Sequence, residues 1–210
     1  MRKLAIETAS EACSIALFEG DALLAHDHRM MGRGHAEALV PMIAALPDKG
    51  RADCILVSLG PGSFTGVRIG LATARALGFA WGANVLGYPT LALIAAQARA
   101  LHAGTAQTVC VHGGHGEWFV QDFAEDGLPL APVASVTPDA AAQRPVNLLI
   151  AGNRADALAA RVEGERLVLP ALLPDARAIP LLAPGLFTAN LTPIYGRGAD
   201  ATPMAQRTQA

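Results

Sequence analysis

The sequence predicts a mixed, layered α/β fold from three features. Three short strand-like runs form an opening meander, strand and helix signals then alternate as far as residue 101, and the segment GPGSFTG (residues 60–66) joins a buried strand to a long helix. Residues 4–6 and 13–18 read as strands around the polar turn Thr8-Ala9-Ser10-Glu11, and residues 23–28 read as a third strand after Gly20-Asp21. Residues 35–46 have helical periodicity, 56–59 form a buried strand, 67–81 a helix, 85–87 a strand and 90–101 another helix. Composition breaks around Ala103-Gly104-Thr105, which predicts an amino-terminal lobe over 1–103 and a smaller second lobe over 104–197. Strands are expected in the second lobe at 109–111, 117–123, 130–136 and 147–151, with helices at 139–143 and 154–162. Prolines 170, 174, 180, 184 and 193 leave room only for short helices after that, and 198–210 reads as a disordered tail.

With 210 residues, 52% of them apolar and 16% charged, the chain has the composition of a soluble globular protein. A net charge of -2 and basic clusters no longer than a pair argue against a stand-alone nucleic-acid binder. The start MRKLAIETASE is too short and too polar for a signal peptide, and no apolar run approaches the roughly 18 residues of a membrane span. Cys13, Cys54 and Cys110 are widely spaced and odd in number, which reads as buried reduced thiols in a cytoplasmic protein.

The glycine loop carries the most specific chemistry. Gly60, Gly62 and Gly66 permit positive φ and close backbone approach, and Ser63 and Thr65 can cap the following helix. Amides at such a helix start can hold an anion. The P-loop pattern, however, needs Lys and then Ser or Thr after its last glycine, whereas Val67 and Arg68 follow Gly66.

Two helices are apolar beyond one face. In HAEALVPMIAAL, Ala36, Leu39, Val40, Ile43 and Leu46 form one stripe, while Ala38, Met42 and Ala45 make the opposite side apolar as well. His35 and Glu37 are its only polar side chains, and Pro41 frees the carbonyl of Glu37. Next to Met30-Met31, this pattern favours a helix covered by another subunit. The helix after the glycine loop is similar, since Gly70, Ala72, Ala74, Ala76 and Gly78 allow another backbone to come close. Arg68 and Arg75 share a stripe on it, where they can pair with a carboxylate or phosphate or form a solvated edge. His26 and His28 alternate on a strand and His112 and His115 flank Gly113-Gly114; both pairs read as surface or turn histidines, because a zinc site needs further ligands.

LAIETASEACSIAL, HAEALVPMI and VSLGPGSFTGVRIGLATARALGFAWGANVLGYPTLALIAAQA together resemble the amino-terminal signature of the TsaB (YeaZ) family, the partner subunit in bacterial synthesis of tRNA N6-threonylcarbamoyladenosine. The resemblance is close over residues 4 to about 100 and looser beyond, where EWFVQDF, NLLIAGN and PIYGR match. It implies an actin and Hsp70-like fold with two related lobes and mixed central sheets, with Glu7 and Thr8 in a degenerate phosphate-binding turn. The anion or nucleotide loop it implies comprises Glu7, Thr8, Gly60, Gly62, Ser63, Thr65 and Gly66. It also implies a partner interface made by His35, Glu37, Leu39, Met42, Ile43, Arg68, Leu71 and Arg75.

The catalytic relative, TsaD, carries an HxxxH metal pair whose positions fall here on Thr90 and Ile94 in GYPTLALIA, and neither side chain can replace imidazole. The resemblance therefore implies a non-catalytic scaffold with no catalytic residues, no metal and no tightly bound cofactor, with weak ATP or ADP at most within a complex. Implied partners are a TsaD-like catalytic subunit and a TsaE-like ATPase, with tRNA reached only through the complex and a homodimer when alone. The rival expectation is an enzyme of the actin superfamily, either a nucleotide-dependent ATPase or a glycoprotease-type metallopeptidase.

Overall fold

The computed structural model describes residues 1–196; the expected tail at 198–210 lies outside the described residues. Strands β1 (Arg2–Glu7), β2 (Ala12–Glu19) and β3 (Ala22–Met30) form the antiparallel meander. Helix α1 (His35–Ala45) follows, then β4 (Cys54–Ser58), α2 (Phe64–Trp81), β5 (Asn84–Tyr88) and α3 (Thr90–Leu101). β4 pairs parallel with β1 and β5 parallel with β4, giving the sheet order β3-β2-β1-β4-β5.

The second half repeats this plan in reduced form. Strands β6 (Gln107–Gly114), β7 (Glu117–Phe123) and β8 (Ala134–Val136) make a second meander, followed by α4 (Pro138–Ala142), β9 (Leu149–Gly152), α5 (Ala155–Ala159) and β10 (Leu167–Pro170). The sheet order β10-β9-β6-β7-β8 reproduces the first sheet, with the same pattern of two antiparallel and two parallel pairings. The helices differ most: α1 has 11 residues and α2 has 18, whereas α4 and α5 have 5 each. Accordingly, the strand expected at 130–136 shortens to three residues and the helix expected at 154–162 to five. β10 was not expected, because LVLP ends in a proline and carries only three apolar residues before it.

Packing places these parts in layers. One core joins the two sheets, with α3 and the 3-10 turn Ala176–Leu181 between them; Tyr88, Leu91 and Leu93 meet Val109, Phe119 and Phe123 there. α3 is buried from Thr90 to Ala96, which explains its lack of a polar face. On the outer side of the first sheet α1 and α2 cover a second core, and on the outer side of the second sheet α4 and α5 cover a third. α2 can lie close on its sheet because Gly66, Gly70 and Gly78 face inward; a Cβ at Gly70 would press on Thr8 and one at Gly78 on Val85. The last described segment returns to the first sheet, where Thr188 pairs with Gly87 and Ile194 N–H donates to the Leu59 carbonyl. Cys13, Cys54 and Cys110 are all buried and unbridged.

Candidate functional site

The glycine loop packs against the first hairpin turn. Ser63 N–H donates to the Ala9 carbonyl at 2.7 Å, and Thr8 Oγ1 donates to the Gly66 carbonyl at 2.8 Å. A Cβ at Gly62 or Gly66 would overlap the carbonyl oxygens of Ala9 and Thr8, so these two glycines serve close approach rather than positive φ. Gly60 alone of the three has positive φ, at 87°. Ser63 is the helix cap, accepting from Gly66 N–H at 3.2 Å, whereas Thr65 sits inside the first turn of α2. The Ser63 and Gly66 amides are thus taken by the protein itself and do not face an outside anion.

Glu7, at the end of β1, is fully buried. Its Oε1 accepts from Ala9 N–H at 2.7 Å, and the Tyr88 hydroxyl lies 3.3 Å from its Oε2 and 3.0 Å from the Ile6 carbonyl. A phenol has one proton, so it cannot satisfy both acceptors at once, and a protonated Glu7 resolves the conflict by donating to Tyr88. Burial pushes the Glu7 carboxyl up to about 7, against the opposing effect of its hydrogen bonds.

Between the two sheets' hairpins lies a cavity of about 980 Å³. Ser10 and Glu11 of the first hairpin and His112 and His115 of the second contribute to its walls, with Asn153 from the β9–α5 turn. Asn153 ties the two halves together: its Nδ2 donates to Glu11 Oε1 at 2.7 Å, and its Oδ1 accepts from His112 N–H at 2.9 Å. Thr90 and Ile94 also line this cavity. Their side chains do not fit a metal ion: Thr90 Oγ1 is hydrogen-bonded to Ser58 Oγ at 2.5 Å, and Ile94 has no donor atom. No group of three or more His, Cys, Asp or Glu suited to a metal occurs among the described residues. His26 and His28 lie on β3, where His28 Nδ1 is 3.6 Å from Asp175.

The residues expected at a partner interface divide in two. Leu39, Met42, Ile43 and Leu71 are core residues of the second core, and His35 is buried with its Nε2–H donating to the Ala12 carbonyl at 3.2 Å. That expectation is corrected for all five, because a side chain packed on its own sheet cannot offer surface to another chain. Glu37, Arg68 and Arg75 are exposed. Both arginines, however, clasp the returning carboxy-terminal segment: Arg75 donates to the Leu191 carbonyl at 3.1 Å, and Arg68 to the Tyr195 hydroxyl at 3.2 Å. The face that α1 and α2 do present is made by Ala36, Val40, Pro41 and Ala44 on one helix and Ala72, Ala76 and Phe79 on the other. Val40 is 53% exposed and Phe79 93% exposed. Phe79 was not singled out from the sequence, although an aromatic three residues beyond Ala76 on the small-residue stripe was the available signal.

A family model described as TsaD: tRNA N6-adenosine threonylcarbamoyltransferase matches residues 29–134, about half of the chain. The tRNA threonylcarbamoyladenosine biosynthesis protein TsaB of Escherichia coli is 33% identical over 131 residues, 60% of this chain and 56% of that protein. The protein of the same description from Haemophilus influenzae is 36% identical over 105 residues, 47% of this chain and 44% of its own length. The chain thus spans about half the length of the curated relatives it matches. Among solved structures, YeaZ from Pseudomonas aeruginosa superposes with a TM-score of 0.78 at 26% identity, covering 92% of this chain and 99% of that one. The paired five-stranded sheets are those of the actin/Hsp70-like fold.

Proposed function

This chain belongs to the family described as TsaD: tRNA N6-adenosine threonylcarbamoyltransferase, and to its TsaB/YeaZ members, and from that premise we propose that it is a non-catalytic subunit that binds and activates a TsaD-type catalytic partner in tRNA threonylcarbamoyladenosine formation. The observation that carries this reading is the outer face of α1 and α2. Val40, Ala44, Ala72, Ala76 and Phe79 form a solvent-facing surface of small and apolar side chains beside only a few charges. Exposed apolar surface of this kind is costly in water and marks a protein contact. Its small residues admit close helix packing, and a pair of such helices provides the core of an interface of about 1,200–2,000 Å². The side chains at Thr90 and Ile94 support a supporting role over a catalytic one, since the first is engaged with Ser58 and the second is a hydrocarbon. In the absence of its partner the same face meets a second copy of this chain about a twofold axis. A TsaE-like ATPase joins the assembled pair, and tRNA is contacted by the whole assembly in the cytoplasm.

The test uses the full chain and a purified TsaD-type subunit. The double variant Val40→Asp, Phe79→Asp alters two exposed side chains and leaves every core residue in place. Loss of co-elution with the partner, with an unchanged circular dichroism spectrum, is expected. Undiminished co-elution would remove this face from the interface, and turnover of substrate by the isolated chain would overturn the non-catalytic reading.

A further inference from the structure

We propose that Arg68 and Arg75 make the outer face of α1 and α2 selective by charge, fitting it to a partner surface that carries carboxylates and disfavouring a second copy of this chain. The inference rests on the partner-binding reading and adds the chemistry of the surface that must meet this face. Residues 68, 72, 75 and 79 follow one another along one stripe of α2, so the two arginines stand in line with Ala72 and Phe79. Both arginines are exposed. Arg68 lies 3.6 Å from the Phe64 ring centroid and donates to the Tyr195 hydroxyl at 3.2 Å, while Arg75 donates to the Leu191 carbonyl at 3.1 Å. All three of these neighbours are uncharged. Among the described residues no carboxylate stands within ion-pair distance of either guanidinium.

Such contacts hold the guanidinium planes in place without neutralising them. A fork that is already oriented loses little freedom when a carboxylate arrives, and it keeps N–H donors that one hydroxyl or one carbonyl does not use. The rest of the face offers little compensation, because α2 has no acidic residue and Glu37 is the only one in α1. The two helices therefore set two arginines against one glutamate, on a chain whose net charge is -2. A second copy brings the same excess of positive charge to a twofold contact, where like charges meet. Carboxylates opposite the arginines gain attraction where the copy meets repulsion, which is how a charged rim discriminates between partners. Phosphate is the other anion that suits a guanidinium, but the exposed apolar side chains of Ala72, Ala76 and Phe79 beside these two favour a protein surface over RNA.

Calorimetry and sedimentation on the full chain, alone and with the purified TsaD-type subunit, test the proposal at about 0.05 M and about 0.5 M NaCl. Binding of the subunit is expected to weaken with salt, whereas self-association is expected to hold or strengthen. The double variant Arg68→Gln, Arg75→Gln is expected to bind the subunit about 2- to 30-fold more weakly, with a smaller salt dependence, and to self-associate no more weakly than the parent. Arg68→Lys, Arg75→Lys keeps the charge without the fork, and is expected to retain most of the affinity and the salt dependence. Circular dichroism verifies the fold of both variants. Equal losses in the two would assign the arginines to holding the carboxy-terminal segment and would overturn the proposal. It is also overturned if the glutamine variant binds the subunit as tightly as the parent, or if both associations respond to salt alike. A single-stranded oligoribonucleotide that binds the parent more tightly than the subunit does, and is lost by the glutamine variant, would overturn it in favour of RNA. Loss of the subunit by Val40→Asp, Phe79→Asp, with full binding by the glutamine variant, sinks this inference alone. Retention by both sinks the interface reading with it.

Discussion

Glu7 is a fully buried carboxyl whose chemistry departs far from its ordinary behaviour. Its carboxyl is raised from 4.5 to about 7 by burial, so the folded protein holds a proton that the unfolded chain releases. Below about pH 4.5 both states are protonated and Glu7 adds no penalty. Between about pH 4.5 and 7 only the unfolded state ionises, and stability falls as pH rises; above about 7 both are ionised and the loss is complete, at about 3 kcal/mol. Urea unfolding at pH 5 and pH 8 measures this, and Glu7→Gln, which mimics the protonated group, is expected to flatten that part of the profile. An unaltered profile in the variant would assign the pH dependence to other groups.

Gly62 gives a second prediction at the same scale. Because a Cβ there would overlap the Ala9 carbonyl, Gly62→Ala must push the loop off the hairpin turn, at a cost of about 1–3 kcal/mol in thermal or urea unfolding. The loop's glycines were legible in the sequence, but their use was not. Spacing shows that a backbone can come close without showing whether the visitor is a ligand or the chain's own Thr8-Ala9 turn.

Among the elements, α1 shows what a periodic pattern can hide. Leu39 and Val40 are neighbours in an apolar helix, yet Leu39 is wholly enclosed and Val40 is half in solvent. Leu39→Ala is expected to cost about 2–5 kcal/mol and Val40→Ala no more than about 0.5 kcal/mol, measured by urea midpoints. The sequence identified an amphipathic problem in this helix because both sides were apolar, and for the same reason could not say which side faced the sheet. Met42 was assigned outward and lies in the core. In α2 the small residues divide by the same logic: Gly70, Ala74 and Gly78 face the sheet, while Ala72 and Ala76 face out. Strands that alternate with long helices were read closely, from β1 to α3. Short elements of the second half were misjudged at their ends, since a three-residue strand or a five-residue helix contains less than one full period of any pattern. The cavity was illegible for another reason: Ser10, Phe64, Thr90, His112 and Tyr195 reach it from five separate stretches of chain, so no local spacing announces it.

At the scale of the whole molecule, the decisive feature is that the two sheets share a core. α3 belongs by sequence to the first repeat, but its side chains pack against β6 and β7 as well as β5, and the turn Ala176–Leu181 from the second half closes the same layer. Asp175 strengthens the tie: held by three hydrogen bonds from the Arg177 guanidinium, it accepts from Ser14 Oγ and lies beside His28 of the first sheet. Neither sheet can expose its inner face without leaving α3 uncovered, so the two repeats are expected to unfold together despite their internal symmetry. The two tryptophans report on the two halves separately, Trp81 beside the outer core of the first sheet and Trp118 in the outer core of the second. Single-tryptophan variants, Trp118→Phe and Trp81→Phe, should therefore give coincident urea midpoints by fluorescence once each is corrected for its own stability by circular dichroism. Separated transitions within one variant, with fluorescence preceding or following circular dichroism, would mean that the halves hold together less firmly than their common core implies. A cooperative body has a functional consequence as well. The first of the hairpins that frame the cavity and the helices of the outer face are carried by one sheet, and α2 itself begins at Phe64, so a partner bound on α1 and α2 would bear on the same frame that positions Phe64 and Arg68.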